Sequence, residues 1–124
     1  MKTVLLALLS TLLLSTAVYV SLPVATPKPE ISGSGICVVE FNASFNSQNG
    51  VSWIENISDC KPRRIDIVSQ PDLQKEYNIV VVPTIVIFQE GEEIKRFQAN
   101  IMMQLEATEE EVQEVVDEII MSSF

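Results

Sequence analysis

Cys37 and Cys60 are the only two cysteines in this 124-residue chain, and the chain has no histidine. Thiolates attack disulfides and ligate metals, so any redox or metal chemistry would fall to this pair. Two cysteines alone make a poor zinc site, which usually takes four Cys or His ligands. Without histidine the commonest general base is missing. No metal and no cofactor are therefore expected. The charge is strongly acidic, with 17 Asp and Glu against 8 Lys and Arg and a net charge of −9. Such a surface repels phosphate backbones, which excludes nucleic acid as a partner. It also disfavours peripheral binding to anionic lipid. The acidic run 109–118 lacks the D-x-D-x-D-G spacing of a calcium loop and reads as a solvated helix face. Asn42-Ala43-Ser44 and Asn56-Ile57-Ser58 match the N-x-S acceptor triplet, which matters only in a glycosylating cell.

These residues need elements to hold them. Residues 1–25 carry one charge, Lys2, followed by apolar runs from Val4 through Val20. A single base before an apolar run reads as a cleaved secretory signal or a retained anchor. The stretch 3–22 is about 20 residues, long enough to span a bilayer at 1.5 Å per residue. Its apolar residues fall on all faces, which argues against an amphipathic core helix. The protein is thus expected to be secreted, periplasmic or lumenal, or membrane-anchored facing away from the cytosol. Residues 26–35, rich in Pro, Ser and Gly, read as a linker. Residues 36–124 are left as one domain able to bury a modest core, expected to be monomeric.

Within that domain Ile36 to Phe41 is a short apolar, β-branched run and reads as a buried central strand. Its one charge, Glu40, contradicts its surroundings. Asn42 to Gly50 is polar and turn-rich. Val51, Ile54 and Ile57 have helical spacing, so a short helix is expected there. Arg64 to Val68 alternates and reads as a second strand. Gln70 to Tyr77 reads as a helix with Ser69 as its N-cap and Pro71 in its first turn. Thr84 to Gln89 and Glu93 to Gln98 are two strands around a turn at Gly91. Thr108 and Glu111 form a capping box, and Val112, Val115, Val116, Ile119 and Ile120 make one apolar stripe. The order β-α-β-α-β-β-α implies an α/β domain with a mixed four-stranded sheet, its first two strands parallel.

Several pieces in this order resemble the thioredoxin family. Val39-Glu40-Phe41-Asn42-Ala43-Ser44-Phe45 is similar to its central strand and the loop before its active site. Val82-Pro83-Thr84, followed by Ile85 to Phe88 and Gly91, is similar to its cis-proline segment and hairpin. The spacing Pro71, Tyr77, Pro83 also fits. The resemblance covers residues 36–122 and lacks the family's extra N-terminal strand and helix. It places the two redox cysteines at Asn46 and Asn49, and an amide cannot form a thiolate. It implies a cis Val82–Pro83 bond and a peptide-binding surface at Phe45, Asn46, Asn49, Val82, Pro83 and Thr84. It also matches Glu40 to a buried acid beneath the redox pair and Arg64 to a nearby base. A buried carboxylate needs a partner, so Glu40 is expected to pair with Arg64 or Arg63. For Cys37 and Cys60 three readings stand: a structural disulfide, two unlinked thiols, or a displaced redox pair. Function is read as a redox-inactive, exported or tethered protein- or peptide-binding module. The alternative is a divergent thiol–disulfide oxidoreductase using Cys37, Cys60 or both.

Overall fold

The computed structural model describes residue 31 and residues 33–124. The apolar segment 1–25, the first part of the stretch read as a linker, and Ser32 lie outside them. Among the described residues no helix is long and apolar enough to cross a membrane. Ile31, in the middle of the stretch read as a linker, is buried in the core. Its carbonyl accepts a hydrogen bond from Arg63 Nη1 at 2.8 Å.

Four strands form the sheet: β1 (Ile36–Asn42), β2 (Lys61–Asp66), β3 (Thr84–Gln89) and β4 (Glu92–Gln98). Their spatial order is β2-β1-β3-β4. β1 and β2 are parallel, and β3 is antiparallel to both β1 and β4. β1 is covered on both faces, so it reads as a continuous apolar run rather than an alternating one. Two residues, Glu90 and Gly91, close the β3–β4 hairpin with φ of 50° and 82°. Positive φ at both central positions suits the right-handed twist of the strands.

One face of the sheet buries Cys37, Val39 and Phe41 against Ile65, Leu73 and Phe88. The Tyr77 ring packs there between Phe41 and Phe88, with centroids 5.7 and 5.5 Å away. Leu73 comes from α1 (Pro71–Glu76). The other face buries Val38, Ile85 and Ile87 against Ile54 and against Val112, Val116 and Ile119 of α2 (Glu109–Ser122). α2 starts at Thr108 with the expected capping box.

Three expectations change. The helix expected over Val51 to Ile57 is absent, and the β1–β2 crossover instead holds two short 3₁₀ segments, Ser44–Asn49 and Ile54–Asn56. Ser, Asn and Gln fill the first, and such side chains compete for backbone hydrogen bonds. Gly50 interrupts with extended geometry, φ −63° and ψ 154°. β2 begins at Lys61, three residues earlier than expected. It is an edge strand whose first four residues are exposed, so its polar start gives no apolar signal. The N-cap of α1 is Gln70. Ser69 Oγ instead donates to the Asp66 carbonyl at 3.1 Å.

Candidate functional site

The C-terminal end of β1 delivers the chain into the first 3₁₀ segment, where Asn46 is buried. Its backbone, φ −114° and ψ 21°, departs from helical values. Its side chain works as a hub. Nδ2 donates to Asn42 Oδ1 at 3.2 Å, to the Met103 carbonyl at 3.2 Å and more weakly to the Val82 carbonyl at 3.5 Å. Oδ1 accepts from Asn49 Nδ2 at 2.8 Å. Asn42 Nδ2 returns a bond to the Asn46 carbonyl at 3.2 Å. One amide thus ties the end of β1 to the proline loop and to the 99–107 loop.

The Val82–Pro83 bond is cis, as the resemblance implied. Pro83 and Thr84 are buried, and Thr84 Oγ1 donates to the Val81 carbonyl at 2.7 Å. On β1, Glu40 is 2% exposed. Its Oε2 accepts from the Val51 backbone N–H at 2.6 Å, and its Oε1 accepts from Arg64 Nη1. Arg64, rather than Arg63, is therefore its partner. Arg64 also clasps Glu55 through Nε at 2.8 Å and Nη2 at 2.9 Å. Burial pushes the Glu40 carboxyl above the usual range, and the Val51 N–H and Arg64 only partly offset this. Gly50 fits closely here, since a Cβ would lie 3.0 Å from the Ser47 carbonyl oxygen.

Beside this hub lies an open groove of about 290 Å³. The buried Ile67, Ile79 and Val82 form its floor. Its rim carries exposed apolar side chains: Phe45 at 69%, Val80 at 75%, Ile101 at 98% and Met103 at 42% exposure. No charged side chain lines it. Residues 100–104 hold their own shape, because Asn100 Oδ1 accepts from the Met102 N–H at 2.9 Å and the Gln104 N–H at 3.1 Å. The Met103 N–H closes the turn on the Asn100 carbonyl at 3.0 Å. That leaves Ile101 and Met102 projecting into solvent.

Of the six residues expected at a peptide surface, Phe45 and Val82 line this groove. Asn46, Pro83 and Thr84 are buried behind it, and Asn49 lines a neighbouring depression beside Trp53 and Leu105. Sequence reasoning missed Ile101 and Met103. The available signal was an apolar triplet, Ile101-Met102-Met103, lying outside any periodic element.

Cys37 and Cys60 are free thiols, so the disulfide weighed from the sequence is not formed. The reason is register. Cys37 pairs with Lys61, so Cys60 is one residue out of step and points to the other face. Cys37 belongs to the core on one face and Cys60 packs against the core on the opposite face. Burial raises the pKa of both thiols, and Cys60 reaches about 11. Both lie at the start of β1 and β2, and the Asn46 hub follows the far end of β1. Among the described residues no cluster of three or more His, Cys, Asp or Glu could hold a metal ion.

No protein-family model matches this chain, and no curated protein matches it. Solved structures do. Thioredoxin 1 from Thermosipho africanus TCF52B aligns over 70% of this chain and 97% of its own, at 23% identity and TM-score 0.59. A single-site mutant thioredoxin from Halobacterium salinarum NRC-1 aligns over 68% and 74%, at 20% identity and TM-score 0.57. A Malassezia sympodialis thioredoxin aligns over 72% and 78%, at 21% identity and TM-score 0.54. The fold is thioredoxin-like.

Proposed function

We propose that this thioredoxin-like domain is a redox-inactive module, exported or membrane-tethered, that binds a protein or an extended peptide in the groove between Phe45, Val80 and Ile101. One observation carries the reading. Asn46 and Asn49, at the positions the resemblance assigns to the redox pair, are bonded to each other, while an uncharged groove with an exposed apolar rim lies open beside them. A grouping of exposed apolar side chains commonly marks an interaction site. The loop before Pro83 suits recognition of an extended chain by backbone pairing, which needs no cysteine. The two thiols support the oxidoreductase alternative poorly. A thiol with a pKa near 11 is almost wholly protonated at neutral pH, and the thiolate is the nucleophile.

Insulin reduction by the full chain tests this directly. Turnover should stay at the uncatalysed rate. Turnover that disappears when Cys37 and Cys60 are both changed to Ala would overturn the reading in favour of the oxidoreductase. The double variant Asn46→Cys, Asn49→Cys should gain reductase activity, because the two side chains already meet at 2.8 Å. Export or tethering is tested by mass spectrometry of the mature N-terminus and by fractionation. The expected result is cleavage near residue 25 or recovery with membranes.

A further inference from the structure

We propose that Met103 is an oxidation site: peroxide converts its thioether to the sulfoxide, and the sulfoxide turns the apolar groove against its partner; this rests on the binding function proposed above. Among the residues lining the groove, Met103 carries the only sulfur. The apolar side chains around it are hydrocarbon, which peroxide leaves alone. Met103 is partly exposed, so an oxidant reaches it from solvent. Its place at the groove is fixed by the backbone. The residue sits at φ 57°, its N–H donates to the Asn100 carbonyl at 3.0 Å, and its carbonyl accepts from Asn46 Nδ2 at 3.2 Å. None of these bonds involves the side chain, so oxidation leaves them in place and the modified side chain stays where it was.

The thiols compete poorly for the same oxidant. Cys37 is buried and Cys60 is half-buried, and burial raises both, Cys60 to about 11. Only a small fraction of either is thiolate at neutral pH, and the thiolate is the reactive form. A thioether has no proton to lose and reacts as it stands. In the step, a lone pair on Met103 Sδ attacks one peroxide oxygen. The S–O bond forms, the O–O bond breaks, the proton on the transferred oxygen passes to the departing one, and water leaves. Sulfur gives up two electrons and peroxide gains them. The product is polar where the thioether was apolar. The two amides lining the groove are already engaged. Gln74 Nε2 donates to the Ile79 carbonyl at 3.4 Å, and Asn100 Nδ2 donates to Glu106 Oε1 at 3.2 Å. An apolar anchor seated in the groove would therefore strip water from the S–O group and give it nothing in return, which is costly. Met102 and Met121 are internal controls, since both are more exposed than Met103 and neither lines the groove.

The test treats the full chain with hydrogen peroxide and follows binding of the labelled peptide Gly-Ser-Thr-Leu-Thr-Ser-Gly by fluorescence anisotropy. Mass spectrometry of tryptic fragments locates each oxygen gained. Oxidation at Met103 should weaken binding about fivefold or more, the lower end of the cost of burying an unpaired polar group. Tm should not move. Methionine sulfoxide reductase with dithiothreitol should restore the affinity. Met103→Leu, which conserves volume, should bind like the untreated wild type and ignore peroxide. Met103→Gln should bind as weakly as the oxidised chain. The double variant Met102→Leu, Met121→Leu should stay sensitive. Equal binding before and after oxidation at Met103 overturns the proposal and leaves the groove intact as a binding site. So does a loss that persists in Met103→Leu, or a chain oxidised at Met102 and Met121 and spared at Met103. Failure of the untreated chain to bind the peptide overturns the binding function and this proposal together.

Discussion

Arg64 serves two carboxylates in different surroundings. Glu40 is buried, and desolvation raises its pKa despite the bonds from Val51 and Arg64. Glu55 is on the surface, and its hydrogen bonds to Arg64 lower its pKa. Carbon-13 NMR titration of the carboxyls should find Glu40 above the ordinary range and Glu55 below it. In Arg64→Met, Glu40 should rise further and Glu55 should return towards ordinary behaviour. That variant should lose about 2–3 kcal/mol of stability at neutral pH, since it strands a buried carboxylate. The pH dependence has a definite sign. The folded-state pKa of Glu40 is raised above its unfolded value, so its contribution is fully present below the ordinary carboxylate range. The contribution is lost as pH rises through the raised pKa. Urea titrations of the wild type and Glu40→Gln across that window should show the variant gaining relative stability with rising pH. A difference that stayed flat with pH would show that Glu40 titrates normally.

At the scale of elements, α2 illustrates what sequence carries well. Thr108 Oγ1 accepts from the Glu111 N–H at 3.2 Å, and Glu111 Oε2 accepts from the Thr108 N–H at 3.4 Å. The cap positions Val112, Val116 and Ile119 over the sheet. Thr108→Ala should cost about 1 kcal/mol and lower Tm by roughly 4–8 °C in a domain of this size. It should leave peptide binding unchanged, because α2 supplies no residue to the groove. The same legibility extends to β1, to the β3–β4 hairpin and to the cis-proline, where periodicity, turn chemistry or family resemblance are sufficient. It fails where local pattern and tertiary role diverge. Val51, Ile54 and Ile57 have helical spacing, yet all three are buried over the sheet from a run of turns that holds only a 3₁₀ segment. Lys61 to Arg64 give no strand signal because an edge strand is half wet. Sequence order puts the two cysteines at the correct end of the sheet, but a one-residue register decides which face each occupies. Asn46 reads in the sequence as a loss, and only the folded geometry reveals the amide as the hub joining the end of β1 to the proline loop and the 99–107 loop.

At the scale of the molecule, the sheet order leaves β2 with no neighbour on its outer side among the described residues. An open edge is a template for pairing with another chain. The first residues of β2, Lys61-Pro62-Arg63-Arg64, are all exposed and combine the two usual defences, charge and proline. Pro62 offers no N–H to an incoming strand. Lys61 and Arg63 would bring like charges together if two copies met edge to edge. Part of their role is internal to the fold, since Arg64 holds Glu40 and Arg63 holds the Ile31 carbonyl. Lys61 and Pro62 are less committed: among the described residues Lys61 Nζ donates to the Ser34 carbonyl, at 3.4 Å. Replacing both with Val would restore a donor to the edge and raise its β-propensity without touching the Glu40 pair. The double variant Lys61→Val, Pro62→Val should therefore keep the fold and associate with rising concentration, seen by light scattering. The wild type should stay monomeric, helped by its net charge of −9. If the variant also stays monomeric at high salt, where charge repulsion is screened, the edge is protected by something other than these two residues.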